Sequence, residues 1–437
     1  MPTKETAMRS PFQRLCVAGA VTLACAAWCT PGLAQTSAGW GYTDLGAVDG
    51  SFVGPVPLSD TGYGIGQAFA ADSSSGSFSY SGSTIADVSA LNGASGGTYY
   101  VNAAGQVAGE SYSAGGTSEQ AFLYSGGTFS TLGSLGGDST YVTGLNASGE
   151  VIGYGNEAGN ASTHAFTYSN GKIVDLQTLG GSTSSAVAIN GSGEVVGNSN
   201  TAGDAASHAF LYNGGSMIDL GTLGGTSSSA TAINASGIVI GSSALSGNAS
   251  QHAFEYTSGT MLDLGTLGGT TSTAIAVNAA GMVIGNATTS GNSATHAFIF
   301  ANGKMTDLGT LGGTNSYALA MDSSGDVIGM SNVTGSTAEH SFLYSSATGK
   351  MLDLTALFPG LSNFVATGIN NAMQIIGTAT SSSGTVRGLI VSAVPETDGL
   401  AMMLAGFAML GCVARLRARG RRARGLRSPA AAGPRPR

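Results

Sequence analysis

The sequence predicts an all-β protein, a β-propeller of about eight four-stranded blades, on three observations. A 44-residue unit recurs along most of the chain, each unit alternates short apolar runs with tight-turn residues, and helix-building residues are scarce. Of 437 residues, 70 are Gly and only 9% are charged, against roughly 7% and about 25% in ordinary chains. Helical bundles and coiled coils are excluded, because Gly, Ser and Thr stand where Glu, Lys and Leu would be needed. With 10 Pro and no Gly-X-Y period the chain is not collagen. At 42% hydrophobic residues it is not a charge-driven disordered chain either.

The period is exact in the histidines. His164, His208, His252, His296 and His340 are spaced by 44 residues, and each opens a phrase such as His208-Ala209-Phe210-Leu211-Tyr212. One period before His164, Gln120 opens Gln-Ala-Phe-Leu-Tyr. A second phrase, Asn-x-x-Gly-x-Val-x-Gly, starts at Asn102, Asn146, Asn190, Asn234, Asn278 and Asp322, then at Asn370. A third, Asp-Leu-Gly-Thr-Leu-Gly-Gly, starts at Asp219, Asp263 and Asp307. A period this regular means a repeat architecture.

Within the unit that follows Asp175, residues 186–189 alternate as a first strand should. Asn190-Gly191-Ser192-Gly193 is a tight turn, with Gly free to take positive φ. Residues 194–198 make the second strand, 199–207 a variable loop and 208–212 the third strand. Asn213-Gly214-Gly215 turns the chain into the fourth strand, 216–220. Gly-Thr-Leu-Gly-Gly-Thr then reads as a linker to the next unit. Four antiparallel strands per 44 residues is the pattern of a propeller blade. A β-solenoid, with shorter coils and fewer hairpins, is the runner-up.

Fourth strands end near Asp44, Asp87, Thr131, Asp175, Asp219, Asp263, Asp307 and Asp353, which makes eight. The body opens on a fourth strand, 41–45, and ends on a third strand, 386–391. One blade shared between the two ends would close the ring and remove exposed sheet edges. Seven blades, with 41–100 as an irregular lead-in, is the second choice. The His-Ala-Phe phrases resemble the HAF repeat family of bacterial extracellular proteins, over nearly the whole body.

The two ends read as targeting segments. Residues 1–34 have Lys4, Arg9 and Arg14, then an apolar stretch over 15–28, then Gly32-Leu33-Ala34, as in a signal peptide cut between Ala34 and Gln35. The propeller is expected over 35–393 and a linker over 394–398. An apolar run over 399–415 reads as a short transmembrane helix. A basic tail over 416–437 would hold that helix with its C-terminus cytoplasmic. Val394, Pro395, Glu396 and Thr397, followed by the apolar run and the Arg cluster, resemble a PEP-CTERM sorting signal of Gram-negative bacteria, with Thr397 where that motif has Pro. The resemblance implies an inner-membrane-anchored precursor, an exosortase-like processing enzyme as partner, and a mature protein at the cell surface or in the extracellular matrix.

Four basic residues (Lys172, Lys304, Lys350 and Arg387) face 21 acidic ones in the body, a formal charge of −17. That sign repels phosphate, so nucleic acid is no partner. All four Cys lie in the terminal segments, which removes disulfides, Cys-type zinc sites and a Cys nucleophile from the body. No phosphate-binding loop, dinucleotide fingerprint or nucleophile elbow is present, so no cofactor is expected. Two recurring polar residues remain. The histidines His164, His208, His252, His296 and His340 read as framework, each donating a ring N–H to a nearby backbone carbonyl. Gln120 and Arg387 stand in that slot elsewhere and are poor metal ligands, so no metal is expected. Asp175, Asp219, Asp263, Asp307 and Asp353 read as turn caps at strand ends, because a catalytic carboxylate pair is two distinct residues rather than one residue copied on every blade. Phe/Tyr pairs two residues apart read as core between blades. The expected function is a non-catalytic surface or exopolysaccharide-matrix scaffold with no catalytic residue, binding polysaccharide or surface proteins. The alternative is an extracellular polysaccharide-active hydrolase or lyase. It requires one blade to depart from the others with its own cluster of His, carboxylate or Tyr.

Overall fold

The computed structural model describes residues 33–37, 39–44, 52–55, 63–69, 75–81, 84–87, 96–112, 118–358 and 360–393, with the segments before residue 100, other than 39–44, as backbone alone. Among the described residues the strands fall into eight antiparallel blades. Blades 1 to 7 span 52–87, 96–131, 136–175, 180–219, 224–263, 268–307 and 312–353. Blade 8 joins the two ends of the body. Its first three strands lie within 361–393, and its fourth is Trp40–Asp44, paired from Trp40 with Ala393 to Asp44 with Leu389. Leu33–Ser37 adds a fifth strand outside Trp40–Asp44 and straddles the expected cut between Ala34 and Gln35. Phe52–Pro55 of blade 1 lies against the strands of blade 8, so the ring closes. First strands of successive blades touch one another and form the inner ring. Residues 394–398, 399–415 and 416–437, and the signal segment as far as residue 32, lie outside the described residues. No helix among the described residues is long and apolar enough to cross a membrane.

The blade differs from its sequence reading chiefly in its first strand, while the second strand also runs on to Thr201. The first strand of blade 4 is Gly180–Ile189, ten residues long, so the supposed Gly-Gly linker already belongs to it. Gly180 sits at φ 97° and pairs with Thr201. A side chain on Gly181 would collide with Asn200 and the Thr201 carbonyl. These glycines are there for close backbone approach rather than as punctuation.

The core lies between blades. Phe166, Phe210, Phe254, Phe298 and Phe342 are fully buried. Phe210 packs with Val195 of its own blade and with Ile152, Ala165 and Leu176 of the blade before. Phe254 repeats this one blade on, with Val196, Ala209 and Leu220. Opposite each ring in the ladder stands a glycine, as Gly197 stands opposite Phe210. A Cβ on Gly197 would overlap the Ser185 carbonyl oxygen and the Phe210 ring. Gly241, Gly285 and Gly329 are in the same situation. Losing one such Phe to Ala would cost about 3–5 kcal/mol.

Hydrogen bonds tie the blades together at two levels. At the first hairpin, Asn190 Oδ1 accepts the N–H groups of Ser192 and Glu194, while its Nδ2 donates to the carbonyl of Asn234 in the next blade (3.1 Å). The same link runs from Asn102 to Asn146 (3.0 Å), Asn146 to Asn190 (3.1 Å) and Asn234 to Asn278 (2.9 Å). At Asp322 the side chain has no N–H to give, and the joint to blade 8 is made instead by Ser323 N–H donating to Asn371 Oδ1 (2.7 Å). Nearer the opposite face, the Ala209 N–H donates to Ser228 Oγ of the next blade (2.9 Å), and that hydroxyl donates to the Gly221 carbonyl (2.6 Å).

Two outcomes are expected. Gly197→Ala should lower thermal stability by about 1–3 kcal/mol or more through overpacking. Gly191→Ala, at a turn position with open space around it, should change it by less than about 0.5 kcal/mol. Calorimetric melting of the two variants checks the contrast. Asn234→Ala should cost about 1–3 kcal/mol, because it removes one of two donors to the Asn278 carbonyl in blade 6 and the cap of its own turn. The same melting measurement reads this loss.

Candidate functional site

The second-to-third-strand loops and the links between blades share one face of the ring, opposite the Asn hairpins. The histidines open third strands on this face, and the recurring aspartates close fourth strands beside them. Their partner differs from the expected backbone carbonyl. His208 Nδ1 lies 2.9 Å from both Asp219 carboxylate oxygens, and His252, His296 and His340 come within 2.8 Å of Asp263, Asp307 and Asp353. The ladder pairs Phe210 with Asp219, so the residue two before the Phe reaches diagonally to the carboxylate. Only at His296 does a ring nitrogen also meet a carbonyl, Nε2 to Thr314 O at 3.2 Å. Each Asp also caps the turn that follows it. Asp219 Oδ1 accepts the Gly221 N–H (2.8 Å), with equivalents at Asp263 and Asp307. In blade 8 the pair becomes Arg387 with Asp44, joining the two ends of the body. Exposed pairs of this kind contribute about 0–1 kcal/mol each.

Blade 3 departs from this pattern. His164 Nδ1 lies 3.1 Å from both oxygens of Asp175 and also 3.2 Å from Glu157 Oε1. The His164 side chain is only 12% exposed, with Glu157 at 35% and Asp175 at 23%. One ligating atom from each residue lies within 4.8 Å of the others, the one such trio of His, Cys or acidic groups among the described residues. At the position of Glu157 the other blades carry Thr201, Leu245, Thr289 and Val333. A second departure supports the first. Where other blades have Gly221, Gly265 and Gly309, blade 3 has Gln177, held at φ 67°. For a residue with a side chain that conformation costs about 1–2 kcal/mol. The Gln177 backbone N–H keeps the bond to Asp175 Oδ1 that the glycines make (2.7 Å), and its amide adds one to Oδ2 (2.5 Å). The hydroxyl of Ser162 donates to Glu157 Oε2 (2.6 Å). Both carboxylates are therefore held in place by donors of their own blade.

A groove between blades 2 and 3 is lined by Gln120, Thr131, Ser134, Asp138 and Thr140, and no member of the trio lines it. Gln120 and Thr131 occupy the slots of the His–Asp pair, so blade 2 has no such pair. The loop that carries Glu157 borders the groove, since Asn160 Nδ2 donates to Asp138 Oδ2 (2.6 Å). His164 and Asp175 were singled out by their period alone, whereas Glu157 and Gln177 were not. Both stand out once residues 44 apart are compared column by column.

Among the described residues four groups are perturbed, each for a structural cause. Glu110 is buried and accepts the Val142 N–H (2.7 Å), as Asn198 and Asn286 accept equivalent N–H groups in later blades. Burial, then Glu110, pushes the Tyr100 hydroxyl above the usual tyrosine range. Burial, then Tyr141 and Glu110, does the same to Tyr154. The Ser182 N–H, followed by Asn200 and the Ser182 hydroxyl, holds Asp204 below the usual carboxylate range. Burial raises Glu255, which stands where Leu211, Ile299 and Leu343 stand in other blades.

No family model matches the sequence, and no curated protein matches it. Solved structures do resemble the chain. The β-propeller domain of the Trilobed protease from Pyrococcus furiosus is 8% identical, covering 71% of this chain and 99% of that one at a TM-score of 0.47. A prolyl endopeptidase is 11% identical, covering 75% of this chain and 54% of its own at 0.49. An oligogalacturonate lyase in complex with manganese is 11% identical, covering 83% and 96% at 0.41. The chain is a β-propeller. At these identities the likeness is one of fold. The expectation of a non-catalytic scaffold, and of no enzyme, is corrected here. Blade 3 has the one-blade departure that the alternative reading requires, a second carboxylate joined to its His–Asp pair.

Proposed function

We propose that the chain is an exported, polysaccharide-active enzyme of the lyase class, working at Glu157, His164 and Asp175 of blade 3. The observation that carries this reading is the trio itself: five blades have a His–Asp pair, and one of them adds a second carboxylate and a braced Gln177. The geometry favours a lyase over a hydrolase. Two-carboxylate glycosidases hold their carboxyl groups about 5–5.5 Å or about 6.5–9.5 Å apart, with the sugar between them. Here the His164 ring nitrogen fills the gap, 3.1–3.2 Å from both carboxylates. A lyase needs no sugar in that gap. It removes the proton next to a uronate carboxylate, the glycosidic C–O bond breaks, a C=C bond forms, and the leaving oxygen takes up a proton. The full chain should release unsaturated uronate ends from a polyuronate, read by ultraviolet absorbance. Glu157→Thr, which installs the residue of blades 4 and 6, should lower that rate at least about tenfold, the scale on which disturbing an organised site acts. Equal rates in the two proteins, or no absorbance from any polyuronate, would remove the reading.

The HAF-type phrases, the leader over 1–34 and the Val394–Pro395–Glu396–Thr397 segment support export and sorting by an exosortase-like enzyme to the surface or matrix, where such a polymer is available. Mass spectrometry of surface-located protein should find the C-terminus near residues 395–397. A chain still ending at Arg437 would mean that the tail is a permanent anchor.

A further inference from the structure

We infer that Glu157, His164 and Asp175 form a divalent-cation site, built into blade 3 and into no other described blade. Donor chemistry, spacing and charge each point there. The set is one imidazole nitrogen and two carboxylates, a mixed nitrogen–oxygen set suited to a first-row divalent ion such as Mn²⁺ or Zn²⁺. Metal bonds of about 2.0–2.2 Å place adjacent donors about 3–3.4 Å apart. His164 Nδ1 lies 3.1 Å from Asp175 and 3.2 Å from Glu157 Oε1. The donors are also oriented from behind, as ligands of bound metals are. The Ser162 hydroxyl occupies Glu157 Oε2, and Gln177 binds both oxygens of Asp175 through its N–H and its amide. Gln177 gives up the left-handed glycine of the other blades to do so.

The charge balance gives the ion a role. The four basic residues of the body stand away from the trio. Lys172, Lys304 and Lys350 open fourth strands, at the end opposite the aspartates, and Arg387 is paired with Asp44 in blade 8. An anionic sugar arriving at this acidic face meets no fixed positive side chain at the trio, and a bound cation would supply that charge. This role rests on the lyase reading. The existence of the site does not.

The full chain, stripped with a chelator and titrated with MnCl₂, tests the site by electron paramagnetic resonance of free Mn²⁺ and by melting temperature. One Mn²⁺ per chain should be taken up saturably, with a rise in melting temperature. Glu157→Thr should melt like the wild type without metal, bind Mn²⁺ at least about tenfold more weakly, and show no such rise. No saturable uptake by the wild type, or equal uptake by Glu157→Thr, would overturn the site. Polyuronate cleavage by a chain that takes up no Mn²⁺ would overturn the cation site and leave the lyase reading in place. Uptake without cleavage would do the reverse.

Discussion

One side-chain amide makes both the turn and the joint in this ring. The Asn that opens the first hairpin in blades 2 to 6 caps its own turn with Oδ1 and reaches a carbonyl of the next blade with Nδ2. Blade-to-blade geometry is thereby fixed at the same atoms that fix the hairpin, so a unit cannot form its turn correctly and dock wrongly. The buried Phe has the corresponding part inside. Its ring crosses to the preceding blade and lies on a glycine of its own ladder. A blade alone would leave that ring exposed on one side, which is why the units are stable as a ring and why their phrases repeat so strictly.

Against a background of such repetition, departures carry information. Arg387 replaces His where the carboxylate comes from the other end of the body, so a permanent charge holds the pair that bridges the closure. Gln120 and Thr131 replace His and Asp where a groove opens. Glu157 and Gln177 depart together, one against His164 and the other against Asp175. A change in one column is no more than drift. Two changes in distant columns that converge on one His–Asp pair describe a local design.

The period, the blade count and the ends of the fourth strands were legible in the sequence, because each rests on residues with one physical meaning: a turn Asn, a strand-closing Asp, a wholly buried Phe. Less was legible where a residue type has several uses. The Gly-Gly pairs look like linker, yet they lie in the first strand, because tight backbone contact and chain reversal both select glycine. The histidines were given backbone partners, because two residues eleven apart in different strands, such as His208 and Asp219, show no connection until the ladder register is known. The trio needed three elements at once. Glu157 comes from a second strand, His164 from a third and Asp175 from a fourth, and only the fold brings them together.

The blade built from both ends has a mechanical consequence. Val386–Ala393 is hydrogen-bonded on both sides, to Gln374–Ser381 and to Trp40–Asp44. A pull on whatever follows residue 393 acts along that strand. It loads both ladders in shear, so many hydrogen bonds share the force instead of opening one by one like a zip. A force applied after residue 393 is thereby passed to the two neighbouring strands together, one from each end of the body.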